Sequence, residues 1–275
     1  MTTIYTPFRT NKQHWLYLLF LALILFFASG CKKNDQGGDT DTGQQNPPTD
    51  PLKPTASVST TVRGLVLDEE GHPVPGAAIS IASYSATTSD AGAFELTNIS
   101  VPGNRCVIVC EKEGYFKSIR AEEPLKDGTT ETHLVLMNSN PTHTINASSG
   151  GKATLSNGSE VQLPANGIVD ASGTAYTGVV NVSLRYLDPT AAGFGTVVPG
   201  GDMLAQRTDQ STSILYSYGI LRVQLTGLSG DALQLGEGKT ATVVMDIPEK
   251  QSATAPASIP LWYFDEEKGV WKEEG

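Results

Sequence analysis

Residues 62–77 read Val62-Arg-Gly-Leu-Val-Leu-Asp68-Glu-Glu-Gly71-His-Pro73-Val-Pro-Gly76-Ala77. The first six residues are mostly aliphatic, which predicts a β-strand, and the Gly and Pro residues after them predict a turn. Further strand-like runs occupy residues 78–83, 106–110 and 133–137. Turn signals separate these runs at intervals of roughly 8–12 residues, and no long helical pattern occurs. The sequence therefore predicts a β-sandwich here.

The same region carries a spaced pattern of glycines, a proline and aromatic residues. It reads Val62-x-Gly64-x-Val66-x-Asp68-x-x-Gly71-x-Pro73-x-x-Gly76-Ala77, then Thr88-x-Asp90-x-Gly92-x-Phe94, then Gly114-Tyr115. This pattern resembles that of the carboxypeptidase regulatory-like domain. The resemblance implies a transthyretin-like β-sandwich over residues 58–138, which we call the first module.

Each position of the pattern has a physical reason. Gly71 and Gly92 suit turns that need a positive φ. Gly76 permits a close backbone approach before the next strand. Phe94 and Tyr115 are expected to supply large apolar areas to the core, since an aromatic side chain buries roughly 150–250 Å².

Residues 139–275, the second module, also read as strands, at 150–155, 159–163, 178–186, 218–225 and 240–247. Within 180–186 apolar and polar residues alternate strictly, which predicts one buried face. The Gly-rich stretch 189–212 is expected to be a long loop, and long loops often bind ligands. We therefore expect an all-β chain built from two β-sandwich modules in tandem.

Several motifs of the second module are shared with known extracellular proteins. They are Gly150-Gly151, Leu163-Pro-Ala165, Pro199-Gly-Gly-Asp202, Tyr218-Gly219 and Leu261-Trp-Tyr-Phe-Asp-Glu-Glu-Lys-Gly-Val-Trp271. Together they resemble the extracellular segment of cartilage intermediate layer type proteins. Family members usually continue past the last tryptophan, so the resemblance implies that further strands are missing here. Trp262, Tyr263 and Asp202 are candidate ligand contacts, although alternation predicts that half of the terminal aromatic residues pack in the core.

The first thirty residues have the pattern of an export signal. Arg9 and Lys12 precede an apolar run at 15–28, which is shorter than the ~20 residues needed to span a bilayer. The run ends in Ala28-Ser-Gly-Cys31, which resembles the lipobox of bacterial lipoproteins. The resemblance implies a signal peptide at 1–30 and acylation of Cys31. An ordinary secretory signal and a short membrane anchor are the alternatives.

Residues 31–57 contain Pro, Gly, Asp, Asn and Gln, with one leucine as the only large apolar residue. Such a segment cannot bury enough surface to offset its ordering entropy, so we expect a disordered, lipidated tether.

The chain offers little that predicts catalysis. A net charge of −10 argues against a nucleic-acid partner, and no histidine lies in a zinc-peptidase motif. Three acidic runs (69–70, 122–123 and 265–267) are expected to be solvated. Cys106 and Cys110 are four apart in a predicted strand, which places their Cα atoms about 13 Å apart, too far for a disulfide. Burial is therefore expected for them, with a disulfide or metal role as the alternative. We expect no catalytic residue, metal or cofactor.

These observations favour a non-enzymatic lipoprotein of the cell envelope, on the outer membrane of a Gram-negative bacterium. We expect the lipid at Cys31 to attach the protein to the membrane. The expected function is surface adhesion, scaffolding or glycan binding. An accessory subunit of a nutrient-uptake or fimbria-like assembly is the second hypothesis, and an unrecognised hydrolase is the third.

Overall fold

The computed structural model describes residues 3–6 and 50–274, which all belong to one compact unit of the chain. The described residues are almost entirely β-strand and loop, as the sequence predicts. Cys31, most of the predicted signal peptide and residues 31–49 of the predicted tether lie outside them. Residues 50–57 of the tether are described, and Pro51, Lys53 and Thr55 form hydrogen bonds with Asn104.

The first module contains two facing sheets. A three-stranded sheet has the order β5-β2-β8, and a four-stranded sheet has the order β4-β3-β6-β7. Only the β2–β8 pair is parallel. The strands are β2 (Ser57–Asp68), β3 (Ala78–Ile81), β4 (Tyr84–Thr87), β5 (Ala93–Pro102), β6 (Cys106–Glu111), β7 (Ser118–Glu122) and β8 (Thr129–Leu136).

Alternation along these strands builds the first core. Val62 and Val66 of β2 point inward and are fully buried, as are Ile108 of β6 and Leu134 of β8. Phe94 belongs to the same core, and Tyr115 is partly buried against it. Of the two aromatic residues predicted to fill the core, Phe94 is buried in it and Tyr115 lies at its edge.

The motif glycines occupy special backbone positions. Gly71 and Gly92 have φ of +84° and +70°. Gly76 differs from its predicted role, because it also has a positive φ, +66°, and a Cβ there would meet only the Lys112 side-chain nitrogen, at 3.1 Å. Its conformational freedom is needed rather than a close backbone approach. The closest approach is at Gly64, where a Cβ would lie 2.3 Å from the Thr132 carbonyl oxygen.

The second module contributes to another pair of sheets, in the orders β1-β18-β11-β10 and β12-β17-β16-β13-β9. β1 comes from the predicted signal peptide rather than from residues 139–275, and it pairs with β18. Between the two sheets lies a second core that includes Leu163, Val182, Leu184 and Leu235. The strands are β1 (Thr3–Thr6), β9 (His143–Asn146), β10 (Gly151–Thr154), β11 (Glu160–Leu163), β12 (Ile168–Asp170), β13 (Val179–Leu187), β16 (Ile220–Thr226), β17 (Ala232–Leu235) and β18 (Ala241–Val244).

A separate four-stranded sheet has the order β15-β14-β20-β19. Its elements and the two short helices are α1 (Phe194–Val197), β14 (Leu204–Gln206), β15 (Thr212–Ile214), α2 (Glu249–Ser252), β19 (Trp262–Asp265) and β20 (Val270–Glu273). The predicted loop at 189–212 therefore contains α1 and β14. The glycine-rich sequence of this stretch predicts a loop, but β14 forms there because it pairs with β20, far along the chain.

A third core cluster joins the two modules. Phe116 and Met137 of the first module pack with Leu187, Ile220 and Trp271 of the second. The Arg222 guanidinium lies 5.1 Å from the Phe116 ring centroid. The modules thus share apolar packing in addition to the covalent link near residue 138.

Candidate functional site

The Gly-rich segment around residue 200 contacts the first module. Gly200 donates its N–H to the Ile119 carbonyl (2.9 Å) and accepts from the Ala121 N–H (3.0 Å). These bonds cover β7, the last strand of its sheet, whose edge would otherwise expose unpaired backbone groups. Gly201 packs on Arg120, because a Cβ there would lie 2.5 Å from a guanidinium nitrogen. This part of the loop fastens the modules together.

Asp202, a predicted ligand contact, lies in the same junction. Its Oδ2 is 2.5 Å from Nη1 of Arg105, whose side chain is mostly buried. Its Oδ1 accepts from the Leu204 N–H (3.1 Å), and Arg105 also donates to the Gly269 carbonyl. Both carboxylate oxygens of Asp202 are thus engaged within the chain.

The two predicted aromatic contacts lie on opposite faces of β19. Trp262 is partly buried against the third core cluster, with Phe264 and Trp271 on the same face. Tyr263 faces outward and is 41% exposed. Tyr263 is therefore the one of this pair that presents its ring to solvent.

A more exposed aromatic surface lies after β15. Tyr216 is 70% exposed and Ile214 68% exposed, whereas Leu215 between them packs into the third core cluster. The rings of Tyr216 and Tyr218 meet edge to face, with centroids 5.2 Å apart and planes at 70°. We call Ile214, Tyr216 and Tyr218 the tyrosine ridge. Sequence reasoning missed it, although the alternation Ile214-x-Tyr216-x-Tyr218 was a usable signal.

The ridge is held from beneath by Gln251 of α2, which is buried. Its Nε2 donates to the Tyr216 hydroxyl (3.0 Å) and to the Ser217 carbonyl (3.1 Å). Its Oε1 has no hydrogen-bond partner among the residues the structure describes. The Tyr218 hydroxyl donates to the Thr254 carbonyl (3.2 Å). Both tyrosine side chains are thus fixed before any ligand arrives.

One group of metal-capable side chains lies in the turn after β2. Asp68, Glu70 and His72 each offer a ligand atom, and these atoms lie within 4.8 Å of one another. The Asp68 carboxylate already accepts hydrogen bonds from the N–H groups of Glu70 and His72 and lies 3.2 Å from the His72 Nδ1. Burial acts to raise the pKa of Asp68, but the hydrogen bonds from His72 and Glu70 hold it below its usual value. These hydrogen bonds to Asp68 close the turn that follows β2.

Cys106 and Cys110 are buried and free, and they share the inward face of β6 with Ile108. Burial raises the pKa of Cys106 to about 11, aided by the charge of Glu122, and that of Cys110 to about 12, aided by Glu111. Both side chains are therefore neutral thiols at physiological pH, as apolar core residues would be.

Among residues 3–6 and 50–274, no helix is both long and apolar enough to cross a bilayer.

No protein-family model matches the sequence. A stretch of 117 residues, 42% of the chain, is 26% identical to cartilage intermediate layer protein 1 of Sus scrofa, and it spans 19% of that protein. The chain thus covers about a fifth of this curated relative.

Two solved structures are distantly similar to this chain. A candidate carbohydrate-binding protein of Bacteroides uniformis is 10% identical and has a TM-score of 0.25, with 70% of this chain and 100% of the other covered. The shaft pilin SpaA of Lactobacillus rhamnosus GG, a D295N mutant, is 11% identical and has a TM-score of 0.22, with coverages of 70% and 89%. Scores this low do not transfer a ligand or an activity to this chain.

Proposed function

We propose that this chain is a non-enzymatic binding module of a bacterial cell envelope, anchored by lipid at Cys31, and that it binds glycans. The tyrosine ridge is the observation that carries the proposal. Sugars present an apolar C–H face and a hydroxyl-bearing rim, so an exposed aromatic ring beside hydrogen-bonding groups is a suitable partner. Tyr216 offers such a ring.

The ridge is arranged to bind at low entropic cost. A free surface side chain loses rotamer freedom when a ligand orders it, at about 0.5–1.5 kcal/mol. Tyr216 avoids much of this loss, because Gln251 holds its hydroxyl and Tyr218 packs against its ring. Its ring face nevertheless remains open to solvent.

The carboxylates of the acidic runs support a non-enzymatic role. Hydrolysis of a glycoside needs two carboxyl groups placed across a cleft and free to act. In each acidic run one carboxylate is engaged in a contact with another strand or turn: Glu69 with Arg185 (2.6 Å), Glu122 with Thr132 (2.9 Å) and Glu266 with Lys117 (2.8 Å).

Glycan-array binding followed by calorimetry tests the ligand. We expect Tyr216→Ala to weaken binding of the best glycan about tenfold, since a lost aromatic stack of about 1.4 kcal/mol corresponds to that factor. Tyr263→Ala is the matched control, because it removes an exposed tyrosine from β19, at the opposite edge of the same sheet from β15. Loss of binding in Tyr263→Ala with Tyr216→Ala unchanged would place the site on β19. An array on which the wild-type chain retains no glycan contradicts glycan binding.

Metabolic labelling with palmitate tests the anchor. We expect wild-type cells to incorporate label into this protein and to retain it in the membrane fraction. Cys31→Ala should abolish both, because Cys31 is the thiol of the lipobox-like motif and several acyl chains are needed for stable anchoring. Labelling that persists in Cys31→Ala would refute the lipobox interpretation, whereas Cys106→Ala should leave labelling unchanged.

A further inference from the structure

In the five-stranded sheet β12-β17-β16-β13-β9, strand β16 is only partly paired with one of its two neighbours. β16 pairs with β13 over its whole length, from Ile220–Leu187 to Thr226–Asn181. With β17 it pairs only at Leu225–Leu233 and Thr226–Ala232. β17 ends at Leu235 and pairs with β12 along its other edge, so among the described residues no strand pairs with residues 220–224 on the side away from β13. We call the resulting gap between β16 and β17 the split.

Burial confirms that the core is open along the split. Val182 and Leu184 of β13 are fully buried. Leu221 and Val223 of β16 belong to the same core but are only partly buried. Leu184 and Val223 lie opposite each other in the β13–β16 ladder, so the exposure of this part of the core is on the β16 side of the pair.

The split also leaves a strand edge without a partner. Among the described residues, no backbone hydrogen bond joins residues 220–224 of β16 to any element other than β13. Alternate residues of a strand direct their N–H and C=O groups to opposite sides. Half of the backbone groups of this segment therefore point away from β13, and within the segment Val223 and Gln224 line the opening, where another strand could pair with them.

A cavity of about 630 Å³ occupies the split, which is within the usual size range of ligand pockets. Its lining comes from three places: the turn between β6 and β7, the strands β16 and β17, and the opposite sheet. These residues are Glu111, Lys112, Glu113, Tyr115, Lys117, Leu163, Val223, Gln224, Leu225, Thr226, Ala232, Leu233, Gln234 and Leu235. The presence of Leu163, which comes from the opposite sheet, shows that the cavity reaches the apolar core.

Several polar groups around this apolar cavity are unused. The side chains of Tyr115, Glu113 and Gln224 have no hydrogen-bond or ion-pair partner among residues 50–274. The two lysines of the rim are committed: Lys117 binds Glu111 (3.0 Å) and Glu266 (2.8 Å), and Lys112 donates to the Pro75 carbonyl (2.8 Å). The free charge at the rim is therefore the negative charge of Glu113.

We infer that the split is a site where β16 accepts an extended peptide segment of a partner protein. Backbone pairing beside Val223 and Gln224 would give affinity, and an apolar side chain inserted towards Leu163 would give specificity. A basic residue beside it would meet Glu113. Five residues of strand extend about 17 Å, so a short peptide is long enough. This inference goes beyond glycan binding, involves other residues, and fits an accessory subunit of a surface assembly.

Blocked pentapeptides of the pattern Lys-Thr-X-Thr-Lys, with Leu, Val, Ile or Phe at X, are the probes. Fluorescence anisotropy with the full chain should detect binding of at least one of them. The same peptide with serine at X, or with N-methylated backbone amides, should bind at least tenfold more weakly. Failure of all four peptides to bind at millimolar concentration overturns the inference, as does equal binding of the N-methylated peptide.

Protein variants locate the binding. Ala232→Trp fills the mouth of the cavity from an exposed position and should weaken binding at least tenfold. Ser85→Trp, at an exposed position of the edge strand β4, is the control and should bind as the wild type does. Glu113→Lys should weaken binding of the basic peptides severalfold. Unchanged binding in Ala232→Trp, or concentration-dependent self-association that only this variant abolishes, would contradict a peptide from a partner.

Discussion

Replacing Gly92 with alanine is expected to lower the free energy of unfolding by about 2–5 kcal/mol. Two costs combine at this position. A φ of +70° is unfavourable for any L side chain, by about 1–2 kcal/mol. In addition, the new Cβ would lie 2.4 Å from the Val66 carbonyl oxygen, so the backbone of β2 would have to move. Overpacking of this kind costs a further 1–3 kcal/mol or so. Urea denaturation followed by circular dichroism measures the loss.

Gly71→Ala is the matched control for this experiment. Gly71 belongs to the same motif and has a φ of +84°, but no atom lies within 4 Å of the place where its Cβ would be. Its replacement should therefore cost only the conformational term, about 1–2 kcal/mol. Equal losses for the two variants would show that close contact with Val66 is unimportant.

The first module was predictable because its signals are local. The turn glycines, the strand at 62–67 and the buried β6 cysteines follow from residue type and a period of two, which short stretches of sequence contain. The tyrosine ridge also had a local signal in the alternation after residue 213. The aromatic ligand contacts were predicted at Trp262 and Tyr263 instead, because aromatic residues are concentrated there.

The junction and the split were beyond local reasoning. Asp202 lies in a Gly-rich stretch that is typical of a binding loop, yet its partner is Arg105, 97 residues away. Nothing around either residue indicates the other. The split likewise depends on β17 pairing with β16 at only two positions, and the extent of this pairing is set by the packing of whole sheets. Such features arise from long-range pairing, which a period in the sequence does not encode.

Replacing Trp271 with alanine is expected to destabilise the chain by about 3–5 kcal/mol, the usual cost of removing a buried tryptophan. Trp271 is 7% exposed and lies in the third core cluster, edge to face with Phe264 at 5.3 Å between centroids. Its Nε1 donates to the Pro199 carbonyl (3.3 Å), next to the segment that pairs with β7. The loss should therefore loosen the junction between the modules as well as the core.

Hydrogen exchange separates these two effects. In Trp271→Ala the amide of Ala121, which donates to the Gly200 carbonyl, should exchange faster than amides of β2 in the first core. Trp262→Ala is the control, since this partly buried residue lies on an edge strand and its loss should cost no more than about 2 kcal/mol. If Trp271→Ala proved no more damaging than Trp262→Ala, or if the Ala121 amide stayed protected, the modules would be held together by their ion pairs and the covalent link rather than by the third cluster.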